Sequence, residues 1–317
     1  MTFLSLLTKE MRLRLRRERT IWVIISYILL LGLLGWTFLS KTNSDYTGVS
    51  NNQLSNTGSS LFSLLAQVQL LLIVFITPSL TTTAINGEKE RQTYEMLICS
   101  RLSPLSLIMG KLGAGLLNAL LLVAASLPLF SLVFFFGGVG PAQIANALLI
   151  FIVTILWLGA MGIFCSALII KPAVSTGLAY LVSLFWVLFP LLISWILSFS
   201  GRGYYIFQLY PNKARLLYIW NPIVAISCVM PNSISGISAI SLFQGFSYGA
   251  TYSSGTDPLS PITLGGWHLT YVAAYLFISA AIALLFLALS ILLITPRRHR
   301  QRRHQLTPQP EKTTATI

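Results

Sequence analysis

Six stretches of this sequence are apolar enough and long enough to cross a bilayer, and that decides most of what the chain can become. They run over residues 21–39, 61–83, 112–136, 142–170, 173–199 and 268–294. A helix needs about 20 apolar residues to cross a hydrocarbon core of roughly 30 Å. In lipid each backbone N–H and C=O must be paired inside its own segment, so runs of this kind are helices. The expected fold is an all-α integral membrane protein with six transmembrane helices. Composition agrees: 55% of residues are hydrophobic, 9% are charged and mean hydropathy is +0.76, more apolar surface than a soluble domain of this size can hide. The first run is longer than the apolar core of a secretory signal, and the SKTNSDYTG that follows it offers no Ala-x-Ala-like cleavage site, so it is read as a retained span.

The net charge of +13 raises nucleic acid as a partner, and the placement of the cations argues against it. Of the 21 Lys and Arg, six precede the first run, four lie from Lys89 to Lys111, one is Lys171 and six follow Ile294. With six spans and a cytoplasmic amino terminus all of these fall on the inner side, leaving Lys41, Arg202, Lys213 and Arg215 outside. This is the positive-inside pattern of a multi-pass plasma-membrane protein with both termini in the cytoplasm, and no nucleic acid is expected.

Residues 1–20 carry Leu4, Leu7, Met11 and Leu15 on one helical face and Lys9, Arg12, Arg16 and Arg19 on another. That is an amphipathic helix lying in the cytoplasmic interface with its cations on lipid headgroups; a purely topogenic basic cluster is the other reading. The span at 61–83 contains Gln67 and Gln69, which either bond neighbouring helices or face a solute path, and Pro78, which would kink or end it. GGVGP at 137–141 reads as a tight outer turn, and Lys171-Pro172 as a minimal inner one. Gly159 and Gly162 would let helices approach closely. The outer segment 200–267 is mixed. Its apolar piece Tyr218–Met230, with Asn221-Pro222 inside it, is too short to cross and is either re-entrant or interfacial. The basic tail 295–317 is expected to be disordered, with topogenic or lipid-binding charge.

Between the second and third spans lies a charged island, GEKERQTYEMLICSRLSP over residues 87–104. Gly87 is expected to break the preceding helix and Pro104 to end a new one of about four turns. Tyr94, Leu97 and Ile98 share one face, and Glu88, Arg91, Gln92 and Glu95 the opposite one. Arg91 is spaced to pair with Glu88 and Glu95 within the helix, so a solvated loop helix would account for much of this charge. Yet three of the eight acidic residues of the chain are spent here.

The order Glu88-Lys89-Glu90, then Thr93-Tyr94-Glu95-Met96-Leu97, then Ser103-Pro104 and Gly110-Lys111 resembles the membrane subunits of type-2 ABC exporters. Their usual run is an acidic-basic-acidic triplet, a Gly-Thr-Leu-Glu-Leu-Leu-like segment, a Ser-Pro pair and a Gly-Lys pair. Here Gln92 stands in place of the Gly, and Tyr94 and Met96 in place of Leu. The resemblance implies that 87–104 is a coupling helix docking on a separate ABC ATPase subunit through Glu88, Lys89, Glu90, Arg91, Thr93, Tyr94 and Glu95. It further implies that residues 1–20 form an elbow helix, that permease subunits pair as homodimers or heterodimers, and that ATP and Mg are held by the partner subunit with no cofactor in this chain.

What the residues lack points the same way. No phosphate loop is present, since Gly110-Lys111 is followed by Leu112 and has no Gly five positions before Gly110. No acidic residue lies in a run to carry a proton, and only His268 stands at the edge of one. Three cysteines, Cys99, Cys165 and Cys228, and three histidines form no ligand-spaced cluster, and no catalytic or metal site is expected. A six-span body without a fuel site must draw on another subunit to transport uphill, so the expected function is the non-enzymatic permease subunit of an ATP-driven exporter. The alternative is a non-transporting scaffold that recruits a soluble partner through its cytoplasmic helix. The substrate is not encoded in any recognisable motif.

Overall fold

A computed structural model describes residues 18–43, 51–90, 104–199, 219–229, 262–264 and 267–294. Six long helices cross it: α1 (Glu18–Asn43), α2 (Asn51–Glu90), α3 (Pro104–Phe136), α4 (Pro141–Leu168), α5 (Pro172–Phe199) and, last in the chain, α7 (Tyr271–Ile294). Each has the length and hydropathy of a membrane span. Between α5 and α7 lie a six-residue helix, α6 (Pro222–Ser227), and a hairpin of β1 (Ile262–Leu264) with β2 (Trp267–Leu269). The all-α membrane fold stands, with this three-residue pairing as a minor addition outside the spans.

The bundle is built around α2 and α4. More than 60% of the most apolar window of each is buried, against 11% for α1. α2 packs most extensively on α4 and α3, and α7 lies along α4. Phe62, Phe151, Trp157 and Tyr275 are among the largest side chains fully enclosed. The outward faces of α1, α5 and α7 expose Trp22, Trp36, Leu181, Phe277, Leu284 and similar residues, as lipid-facing surfaces do.

Polar side chains inside the bundle are used to join helices. Tyr27 of α1 donates to Gln69 Oε1 of α2, and the hydroxyls of Thr154 in α4 and Tyr275 in α7 meet at 2.7 Å. Gln69 is fully buried in this role, so it bonds a neighbouring helix. Each such bond contributes about 0.6 kcal/mol on average in a membrane interior.

The two ends of the bundle differ. At one end Gly137 and Gly138 adopt φ of 78° and 80°, a left-handed turn open to glycine, and Pro141 begins α4 behind Gly140. Ser59 of α2 donates to Gly138 O at 3.0 Å, closing this turn end on the start of α2. At the other end α2 finishes, α3 begins, and α4 passes to α5 through Ile169, Ile170 and Lys171, the last exposed beside Pro172. This is the handle end, from which the charged island emerges.

Three expectations are corrected. Gly87 does not break the second helix: α2 runs through it to Glu90, and Pro78 lies inside the helix without ending it. An interior glycine costs a helix only about 1 kcal/mol, which the burial of Ile85 two residues before it offsets. Pro104 ends nothing; it is the first residue of α3, where a missing N–H costs no hydrogen bond. His268 is not in the sixth span: its backbone pairs with Thr263 in the hairpin, and α7 starts at Tyr271. The piece around Asn221-Pro222 forms α6, which packs on α2, α4 and α7 with Pro222, Val224, Ala225 and Ile226 buried. The interfacial helix with Lys9, Arg12 and Arg16, the docking residues Arg91, Thr93, Tyr94 and Glu95, most of the outer segment and the tail lie outside the described residues. Arg19 falls in the first turn of α1.

Candidate functional site: the root of the charged segment

The last two turns of α2 are fastened on two sides before the chain enters the charged segment. Ala84 and Glu88, four apart, share the face toward α3. Lys111, two turns into α3, reaches both: its ammonium donates to Ala84 O and pairs with Glu88 Oε1 at 2.6 Å. The Lys111 side chain is 5% exposed and Glu88 26%, so the cation is enclosed and the glutamate side chain partly so, with its Oε2 buried. Enclosing an ammonium costs free energy that the facing carboxylate and carbonyl dipole offset.

Ile85 and Lys89 lie on the face toward α4. Ser166 Oγ accepts from the backbone N–H groups of Ile85 and Asn86, both at 3.1 Å. Lys89 Nζ donates to Ala167 O at 2.8 Å. That carbonyl belongs to the last turn of α4, where four C=O groups have no helical partner and the negative end of the helix dipole favours a cation. Lys89 therefore acts as a side-chain cap for α4.

One turn further in, the three helices come into close contact at Thr81. A β-carbon on Gly162 of α4 would run into Thr81 Oγ1, and one on Gly115 of α3 would lie 2.8 Å from Thr81 Cγ2. Gly159 is closed off in the same way by Leu116, 2.7 Å from such a carbon. Thr82 meets Thr176 of α5 at 3.1 Å. Asn86 is fully buried between these contacts, and neither its Oδ1 nor its Nδ2 has a partner.

The arrangement is mechanical in character. Among the described residues no group of three or more His, Cys, Asp or Glu could hold a metal, and no nucleophile sits beside a base. Of the seven residues expected to dock a partner, Glu88 and Lys89 are engaged by Lys111 and Ala167, and Glu90 is exposed at the end of α2. Sequence reasoning missed Lys111 as a buried partner, although the seven-residue interval from Pro104 places it two turns down the helix. It also missed Ser166 and Thr81, which no pattern singles out. The Gly159/Gly162 spacing did carry a readable signal.

No curated protein matches the chain. A family model described as "ABC-2 family transporter protein" matches residues 39–292, from the end of α1 almost to the end of α7 and across this root. The match takes in well over half of the sequence, and the chain is a member of that family, a membrane permease component of a transporter that is not itself catalytic.

Proposed function

We propose that this permease subunit works as the membrane half of an ATP-driven exporter in the plasma membrane, with both termini cytoplasmic. In this reading the handle end faces the cytosol, and the segment that leaves α2 at Glu90 docks on a separate ATPase subunit that holds ATP and Mg. Glu90, Arg91, Thr93, Tyr94 and Glu95 make the contact, while Glu88 and Lys89 hold its root to the bundle. Two permease subunits, alike or different, enclose the path, and Lys9, Arg12, Arg16 and Arg19 rest on lipid headgroups.

The observation that supports the reading is the fastening of α2 at its exit. Lys111, Ser166 and Ala167 tie the stem of the segment to α3 and α4, so a push on it tilts helices instead of bending a loop. A scaffold would need an exposed docking helix but no such anchorage. The distribution of Lys and Arg supports the orientation.

The test is Glu95→Arg in the complex with the ATPase subunit that co-purifies with the chain. Insertion and expression should survive while transport-coupled ATP hydrolysis is abolished. Unchanged hydrolysis would remove Glu95 from the contact, and co-purification of a partner without a phosphate loop would favour the scaffold.

A further inference from the structure

Three of the spans carry a proline in their interior, Pro78 in α2, Pro128 in α3 and Pro190 in α5. Proline removes one backbone hydrogen bond and opens the ladder toward the preceding turn, which makes these positions the weakest points of their helices. At Pro78 and Pro190 the carbonyl three residues earlier is bound by a side chain from another element. Tyr180 of α5 donates its hydroxyl to Phe75 O at 2.8 Å, and Asn221 Nδ2, at the start of α6, donates to Val187 O at 2.9 Å.

The grip on α2 spans its proline. Thr176 and Tyr180 are four residues apart on one face of α5. The first meets Thr82 on the handle side of Pro78, and the second meets Phe75 on the turn side. α5 thus lies along the weak point of α2 as a splint. The grip on α5 is reciprocal: Trp186 Nε1 donates to Trp220 O at 3.0 Å while Asn221 reaches back to Val187. Trp220 stands edge-on to Trp186 with ring centroids 4.4 Å apart. Asn221 also caps α6, its Oδ1 accepting from Ile223 N at 2.8 Å. Its two amide atoms therefore hold α6 and α5 to each other.

From this geometry we infer that α5 is the rod that carries tilting of the handle-side half of α2 to the segment 219–229 in the turn-side half of the bundle. Thr176 and Tyr180 are its positioning residues at one joint, and Trp186 and Asn221 at the other. The inference rests on the reading of the chain as a nucleotide-driven permease.

Pulsed electron resonance on the full chain in complex with its ATPase subunit tests it, in a background without Cys99, Cys165 and Cys228. One pair of spin labels, at Met109 and Lys171, reports the handle end, and a second, at Phe135 and Leu192, reports the far half; all four positions are exposed. In the parent, ATP with vanadate should change both distances relative to the nucleotide-free complex. Thr176→Val with Tyr180→Phe removes only the hydroxyls, and Asn221→Ser keeps a capping oxygen but cannot reach Val187. Either variant should keep the handle-end change and lose the far one, and Thr176→Ser should behave as the parent. A far-half change that persists in both variants overturns the inference and leaves the permease reading intact. If neither pair responds in the parent, the nucleotide-driven reading fails and the inference falls with it.

Discussion

Removing the Glu88 carboxylate strands the most deeply enclosed cation at the root of the charged segment, and the cost can be bounded. An exposed ion pair contributes about 0.2–1 kcal/mol, whereas deleting one partner of a buried pair costs about 3–5 kcal/mol because the other charge is left unpaired. Lys111 belongs to the second class and Glu88, a quarter exposed, lies between the two. Glu88→Leu should therefore cost about 2–3 kcal/mol, less than a fully buried pair because Ala84 O still faces the ammonium. At about 2–4 °C per kcal/mol for a protein of this size class, the melting midpoint should fall by about 4–12 °C. Lys111→Met strands a carboxylate whose Oε2 is itself enclosed, and should cost about as much, about 2–3 kcal/mol. The double variant replaces the pair by apolar groups and should lie within about 1 kcal/mol of the parent, a coupling of about 2 kcal/mol or more. The assay is loss of the monodisperse peak of a fluorescent full-length fusion in detergent after stepwise heating. If the two single losses simply add in the double variant, the pair is not what holds α2 to α3 and the reasoning fails.

Other contacts make shorter predictions. Gly162→Ala pushes a methyl into Thr81 and should destabilise the bundle by about 1–3 kcal/mol, with Thr81→Ala restoring most of the loss; a neutral Gly162→Ala in the same heating assay would show that α2 and α4 are not in close contact there. Gly138→Val places a β-branched residue at φ of 80° against Ser55 and should cost about 1–3 kcal/mol, visible as lower yield of folded protein, where a parent-like yield would rule out the left-handed turn. Tyr27→Phe loses one bond to Gln69 and should cost only about 0.6 kcal/mol, a shift near the limit of detection. A large loss there would mean that α1 is held far more by this bond than by its packing.

The spans were legible because lipid imposes one requirement on every residue of a run, and α1, α4, α5 and α7 begin and end near where hydropathy changes, whereas α2 begins ten residues and α3 eight residues before its apolar run. The exceptions have local causes. Gly87 and Pro104 are punctuation marks whose meaning depends on what surrounds them: buried Ile85 carries α2 through the first, and the second suits a helix start as well as an end. The docking residues follow from a resemblance in residue order, which does not say which way a side chain faces. Glu88 and Lys89 are held by a buried lysine and a carbonyl at the end of α4, contacts between residues 23 and 78 positions apart in the chain. Such pairings exist only once the helices are side by side. The roles of Tyr180 and Asn221 were hidden for the same reason, since each binds a backbone carbonyl, which has no sequence signature.

The measurement that bears most directly on the central claim is the sidedness and contact of Tyr94. In cells producing the full chain with its ATPase subunit, Tyr94→Cys should resist a membrane-impermeant maleimide added from outside and react once the membrane is opened. A short bifunctional reagent should then join it to the ATPase subunit. Labelling of Tyr94→Cys from the outside in intact cells, or no cross-link to an ATPase from the cytosolic side, would contradict the account.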